Sequence, residues 1–261
     1  MVVVDCFKFY NELQMLQFRL AELNDVVDHF VLVESTHTHN GNEKKLYFKE
    51  NKHLFEKYHD KIVHVIVEDA PTQETVLERG PAWANERFQR ECIERGVQQL
   101  DLSDEDILII ADCDEIPDPK VLSKIRAGEL IIDKVTVLVL DLYNYNFRTK
   151  SKTKWDKQTK VLNYGTYKKN RSPKRIRTGL AEHKIEPGGW HLSYFGGVDF
   201  IVNKIKNFAH VEFNGEKYHN KNNIIASIKS QRDLFNRDNH SFIEVDIESN
   251  DYLPKNYRML L

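Results

Sequence analysis

Two aspartates, Asp112 and Asp114, stand two apart just past an unbroken apolar run, Ile107-Leu108-Ile109-Ile110, in the stretch ILIIADCDEIPDP. Such a run reads as a strand buried on both faces of a parallel sheet, and the carboxyl ends of such strands face the ligand crevice. In an extended chain the two carboxylates would diverge. A turn forced by Pro117 and Pro119 lets both face one hard cation. Oxygen donors select magnesium or manganese, and a metal at a sheet edge can hold a diphosphate. Cys113 between them is a packing residue, since zinc sites need several soft or imidazole ligands. The competing possibility is a solvated turn, which is what Asp101, Asp104, Glu105 and Asp106 upstream of the strand are expected to be.

The elements that must carry this turn follow from periodicity. Residues 2–7 (VVVDCF) form a first strand, and residues 11–23 an amphipathic helix with Leu13, Leu16, Leu20 and Leu23 on one face. HFVLVE at 29–34 is a second strand, a helical stretch lies near 50–58, and KIVHVIV at 61–67 is a third strand. Pro81 starts a helix over 82–95 that ends at Gly96, ahead of the aspartate strand. This alternation predicts an α/β fold, a Rossmann-type, mostly parallel sheet with helices on both faces. Beyond Pro119 come a short helix, a partly exposed strand over 134–147, the GGWHLSYFGG stretch and a helix over 199–208. Residues 222–261 read as helical and then irregular, and no repeat or linker divides the single domain of 261 residues.

With 41% hydrophobic and 11% aromatic residues the chain can fill one large core. No apolar run approaches the eighteen or so residues of a membrane span, and MVVVDCFKFY lacks the character of a signal peptide. Cys6, Cys92 and Cys113 are too few for a disulfide framework. A cytoplasmic location is therefore expected. Residues 148–177 hold twelve Lys or Arg against one acid, Asp156, which puts a segment at +11 on a body at −13. Charge so divided concerns either a partner or a solvated hairpin.

Four stretches carry a resemblance: NEL with RLAELNDVVDHFVLVES over 11–35, Trp83 with the helix after it, DCDEIP over 112–117, and GWH over 189–191. In this order they resemble glycosyltransferase family 17, the beta-1,4-mannosyl-glycoprotein N-acetylglucosaminyltransferases, from about residue 5 to 200. The resemblance implies a GT-A fold, UDP-N-acetylglucosamine as donor, a divalent cation (Mn2+ or Mg2+), a glycan acceptor and inversion at the anomeric carbon. It makes 1–120 the nucleotide-sugar half and 121–261 the acceptor half. By the family pattern one aspartate contacts ribose while Asp114 takes the metal, so Asp112 and Asp114 are assigned jointly. An imidazole is often the third ligand in GT-A enzymes, and His191 is the candidate; a hydrogen-bonded core histidine is the alternative.

Inverting transfer also needs a base for the acceptor proton. Asp199 is the first candidate, since GGVD follows a glycine pair and opens a helix; an ordinary helix cap is the alternative. Glu115 is the second. Trp190 and Tyr194 are expected against a sugar face, or in the core. Arg87 and Arg90 are expected to reach the diphosphate, although Glu86 and Arg90 also have the spacing of a plain helical ion pair. Glu34, Ser35 and Thr38 lie at the end of the second strand, where a uridine would rest. His37 and His39 lack further ligands and are not assigned to a metal.

Two rivals come from other classes. A haloacid-dehalogenase-like phosphatase also ends a buried strand in D-x-D, but Ile116 stands where Thr or Val is expected and no Asp-Asp pair follows. A nucleic-acid-binding module would use 148–177 with Trp155, Tyr164 and Tyr167 for stacking, against a net charge of −2. In the favoured scheme the same basic segment draws in an anionic or phosphate-linked acceptor glycan.

Overall fold

The computed structural model describes residues 1–71, 81–207, 209, 213, 215–237 and 240–261. Strand β1 (Val3–Phe9) leads through helix α1 (Leu13–Leu23) to β2 (His29–Ser35), and α2 (Tyr47–Glu50) with a 3-10 stretch (Lys52–Lys61) leads to β3 (Ile62–Val67). Helices α3 (Pro81–Glu91) and α4 (Ile93–Val97) precede β4 (Ile107–Asp112), which β5 (Glu115–Pro117) and α5 (Pro119–Arg126) follow. Next come β6 (Thr136–Asn144), β7 (Thr149–Ser151), β8 (Lys160–Asn163), α6 (Tyr164–Asn170) and α7 (Pro173–Thr178). The chain then passes through β9 (His183–Ser193), α8 (Val198–Asn207), α9 (Glu216–His219), α10 (Lys221–Lys229) and β10 (Phe242–Glu244).

The strands lie in the order β10-β7-β6-β8-β4-β1-β2-β3, with β9 on β6 and β5 on β9. The block β3-β2-β1-β4 is parallel throughout, as is the β6–β9 pair. From β4 outward through β8, β6, β7 and β10 the pairs are antiparallel. The α/β class is as expected. After β3 the chain crosses back over β2 and β1 to lay β4 beside β1, so the carboxyl ends of these two strands open toward one another. That reversal of strand order is where open α/β sheets hold ligands.

Burial on both faces explains the unbroken apolar runs. Val3, Phe7, Ile107 and Ile109 face a cluster with Leu16, Phe18, Leu20 and Leu23 of α1, while Val4, Cys6, Leu108 and Ile110 face one with Ile93 and Val97 of α4. Each fully buried large side chain contributes about 1.5–3 kcal/mol to stability. Gly96 does not end a helix, as its type suggested, but lies within α4. A Cβ there would meet Val31 Cγ1 at 2.3 Å and Val65 Cγ2 at 2.9 Å, so glycine is what lets α4 approach the sheet this closely.

Three other expectations are corrected. The helix predicted over 82–95 is broken at Cys92 into α3 and α4. β6 is buried along its whole length, not partly exposed, because β9 covers one edge from Thr136 to Asn144. Asp106 is not a solvated acid; it is buried, and its carboxylate accepts from the backbone of Val2 at 2.6 Å and of Ser103 at 2.7 Å. Among the described residues no helix is long and apolar enough to cross a membrane.

Candidate active site

The turn between β4 and β5 carries Asp112, Cys113 and Asp114, and Arg19 of α1 sets its shape from beneath. Arg19 is fully buried, and its Nε and Nη2 grip both oxygens of Asp5 on β1 at 2.7 and 2.6 Å. Its Nη1 donates to the carbonyls of Asp112, Cys113 and Glu115 at 3.0, 3.1 and 2.6 Å. A bidentate guanidinium–carboxylate pair is rigid, so the turn is fastened to the sheet. The two prolines act later than expected: Pro117 ends β5, and Pro119 opens α5 behind its N-cap Asp118.

Glu115 is buried completely, and both its oxygens are taken. Oε1 accepts from Trp155 Nε1 at 2.7 Å and Arg177 Nη2 at 2.7 Å. Oε2 accepts from Arg177 Nη1 at 2.6 Å, Thr159 Oγ1 at 2.8 Å and the Asp112 backbone at 3.0 Å. With five donors converging on it, Glu115 has no lone pair to offer an acceptor hydroxyl, so it is a positioning residue for the turn and not a base. Arg177 itself is held at the end of α7, where the buried Lys160 donates to its carbonyl at 2.9 Å.

Around the turn the carboxylates and cations alternate. Asp112 Oδ2 accepts from Arg177 Nη2 at 2.6 Å and Oδ1 from Arg90 Nη2 at 3.0 Å, with Lys8 Nζ 3.8 Å away. Asp114 Oδ2 accepts from Lys204 Nζ at 2.8 Å, and its Oδ1 lies 3.6 Å from His191 Nε2. Burial alone would raise these acids, but the nearby cations outweigh it. Arg177, Arg90 and Lys8 hold Asp112 well below the usual carboxylate range, Lys204 and then His191 lower Asp114, and Arg177 lowers Glu115.

A group depressed in the folded state contributes stability that is present above its unfolded value, about 4, and is lost as the pH falls through its folded value. The melting temperature is thus expected to stay level from pH 7 to about 5 and to drop steeply below about 4. A melting temperature unchanged well below that value would mean that these pairs contribute nothing.

Between the carboxyl ends of β1 and β4 lies a cavity of about 280 Å³. Of the residues expected from the sequence, Asp112, Asp114, Glu115, His191, Thr38 and Tyr194 line it. Arg87 and Arg90 line an adjoining cavity that shares Asp112. Tyr194 turns the chain out of β9 with a left-handed backbone, φ +57°, a conformation that is uncommon for a non-glycine residue. Burial pushes its hydroxyl up to about 12. His39 also lines the first cavity, and burial holds it down to about 4, so it is neutral there.

Four expected residues lie elsewhere. Asp199 is at the start of α8 with its side chain 83% exposed and paired to Lys221 at 2.5 Å, outside both cavities. Glu34 is fully buried and supports α2, accepting from the Phe48 backbone at 3.0 Å and from His64 at 3.0 Å. Ser35 is buried and accepts from the His37 backbone at 3.2 Å. Trp190 packs in the core, 4.9 Å from the Tyr252 ring, and donates to the Tyr252 carbonyl. In the antiparallel β5–β9 pair Trp190 faces Ile116 while His191 faces Glu115, so alternation sends the indole inward and the imidazole to the cavity.

Residues to which the favoured sequence scheme gave no role complete the walls. Lys8 pairs with Glu86 and, with Lys204, Glu12, Trp83 and Trp155, lines the first cavity. A charge within a strand buried on both faces signals a buried partner, and Lys8 and Asp5 on β1 both have one. The basic segment does not form one patch. Lys150 and Lys154 pair with the buried Asp141, Lys168 with Asp104, and Arg177 with Asp112 and Glu115.

A family model described as Glycosyltransferase family 17 matches residues 1–259. The match thus runs well past residue 200, where the likeness was expected to fade. Among curated proteins, the beta-1,4-mannosyl-glycoprotein 4-beta-N-acetylglucosaminyltransferases of Rattus norvegicus and Homo sapiens are each 33% identical to this chain over 119 residues. That stretch covers 44% of this chain but 21% of the rat and 22% of the human protein, about a fifth of each relative's length. The crystal structure of 4-diphosphocytidyl-2C-methyl-D-erythritol synthase from Anaerococcus prevotii overlays 67% of this chain and 82% of its own, with a TM-score of 0.37 and 13% identity.

Proposed function

Because the chain belongs to glycosyltransferase family 17, we propose that it transfers a sugar, N-acetylglucosamine from a UDP donor, to a glycan hydroxyl. Transfer is by inversion, in a GT-A arrangement, and with manganese or magnesium. The observation that carries this is the acid turn at the mouth of a cavity between the ends of β1 and β4, with Lys204 and His191 on Asp114. The activity after which the rat and human relatives are named supports the donor sugar.

The donor set fits the cation in a limited way. Asp114 Oδ1 and His191 Nε2 are one oxygen and one nitrogen donor 3.6 Å apart, whereas both oxygens of Asp112 are held by arginines. Among the described residues no three His, Cys, Asp or Glu side chains gather as a metal site. Two protein ligands are enough for an ion that keeps waters and substrate phosphates for its other positions. Asp114 and His191 would hold it, and it would supply positive charge beside the leaving diphosphate.

The chain's own residues do the rest. Lys8 and Lys204 border the first cavity from opposite sides of the turn and offset negative charge developing on the diphosphate. The rings of Trp155 and Tyr194 give the sugar apolar walls. For the base, Glu12 takes the role that Asp199 and Glu115 cannot. It lines the cavity, and among the described residues its Oε2 accepts only from the backbones of Tyr10 and Asn11 at 3.0 Å and it forms no ion pair.

Glu12→Gln keeps an oxygen for both backbone donors and removes the base. It is expected to lower transfer by about a hundredfold or more with UDP binding retained. Asp199→Asn, at an exposed site, is expected to transfer at the wild-type rate. Manganese-dependent UDP release across a panel of UDP-sugars, then an acceptor array, tests the activity and these two variants together. Equal loss in both variants, or in neither, would overturn the assignment of Glu12.

A further inference from the structure

The carboxylate of Glu12 is held by its own neighbours, since the amides of Tyr10 and Asn11 both donate to Oε2 at 3.0 Å. The side chains of the same two residues reach α8. There Tyr10 Oη donates to Asn203 Oδ1 at 2.9 Å, and Asn11 Nδ2 donates to the same oxygen at 3.0 Å. An amide oxygen has two lone pairs, and both are used. Burial pushes the Tyr10 hydroxyl up to about 12, so it remains a donor, and the Tyr47 ring meets the Tyr10 ring edge-on at 6.0 Å.

α8 is itself anchored. Ile201 and Ile205 are fully buried in a cluster with Tyr145, Ile224 and Leu234. The residue after Asn203, Lys204, donates to Asp114 Oδ2 at 2.8 Å. Adjacent residues of one helix therefore tie the loop that carries Glu12 and the turn that carries Asp114, two walls of the first cavity. Asn203 lines neither of the two cavities, so it acts on a bound molecule only through that loop.

We propose that Asn203 is a positioning residue for the base, and that with Lys204 it sets the separation of the Glu12 and Asp114 carboxylates. The proposal rests on Glu12 as the base in transfer. Misplacing a reacting group by about 1 Å can cost about a hundredfold in rate, so a tie one residue removed from the base matters.

Two measurements on wild type, Asn203→Leu, Asn203→Asp and Glu12→Gln test it. The first is hydrogen exchange of the Tyr10 and Asn11 amides, which reports local opening and needs no substrate. Leucine has about the size of asparagine but no acceptor, so exchange is expected to be about tenfold faster. Aspartate keeps acceptor oxygens for both donors, and exchange near the wild-type rate is expected.

The second is UDP release from UDP-N-acetylglucosamine with manganese, water serving as acceptor. Asn203→Leu is expected to lower kcat about tenfold or more with the donor KM unchanged. Asn203→Asp should keep most of the rate, and adding Asn203→Leu to Glu12→Gln should cost nothing further. Should Asn203→Leu fail to fold, Tyr10→Phe takes its place, with the same directions expected.

Wild-type exchange and kcat in Asn203→Leu, an Asn203→Asp variant equally impaired, or a further loss on top of Glu12→Gln each overturn the positioning role and leave the transferase function standing. A wild type that releases no UDP, with exchange altered as expected, does the reverse: it sinks the transferase function and leaves the tie from α8 to the loop in place.

Discussion

Asp114→Asn is expected to abolish sugar-nucleotide turnover while leaving the sheet intact. An amide is neutral and a weak ligand for a hard cation. The substitution also removes the partner of Lys204, whose pKa is raised above its usual value by Asp114 against the opposing effect of burial. The expected protein is folded, somewhat less stable, unable to release UDP with manganese, and weak in UDP binding whether or not manganese is added. Excess chelator should reproduce the loss of turnover in wild type. Undiminished turnover, in the variant or with chelator, would sink the metal assignment and leave the acid turn a structural network of ion pairs.

Arg177→Met should be the most destabilising single change near the site. Arg177 is 5% exposed and bridges Asp112 to Glu115, which is buried completely. Without it, two carboxylates face each other over the Glu115–Asp112 backbone contact, and Thr159 and Trp155 remain as neutral donors to Glu115. Breaking a buried pair from one side costs about 3–5 kcal/mol. Transfer should also be lost below the melting temperature, because the turn no longer has a fixed shape. Adding Glu115→Gln should restore part of the stability, since the two residues interact directly. A single variant that melts with wild type, or a double variant no more stable than the single, would show that the bridge does not hold the turn.

The first half of the fold was legible because each strand from β1 to β4 is mostly apolar with its own turn signals, and the burial of β1, β2 and β4 on both faces leaves that mark in composition. The turn was legible because its acids interrupt such a run. Arg177 was not, because its partners are tertiary. Within a run of twelve bases nothing local distinguishes a residue that enters a buried network from one that stays at the surface. Lys204 was missed for the same reason, being one lysine on an amphipathic helix. Asp199 and Glu34 misled in opposite directions. A carboxylate opening a helix reads alike whether it meets substrate or solvent, and a polar residue ending a strand reads alike whether it faces a ligand or supports a neighbouring helix. Trp190 against His191 was decidable in principle, since adjacent strand residues face opposite sides.

Arg19 and Glu22 stand one helical turn apart on α1, and the second clasps what the first does not. Glu22 is 7% exposed and accepts from the backbones of Lys255 and Asn256 at 2.8 and 2.9 Å and from the Asn256 side chain at 2.8 Å. A chain emerging from the ribosome therefore lays down the Arg19 support for the acid turn early, yet leaves Glu22 waiting for residues made some 230 positions later. Until they arrive, the helix beneath the turn lacks the C-terminal donors to its carboxylate, so the nascent protein would have its crevice outlined before the last clasp on that helix is made.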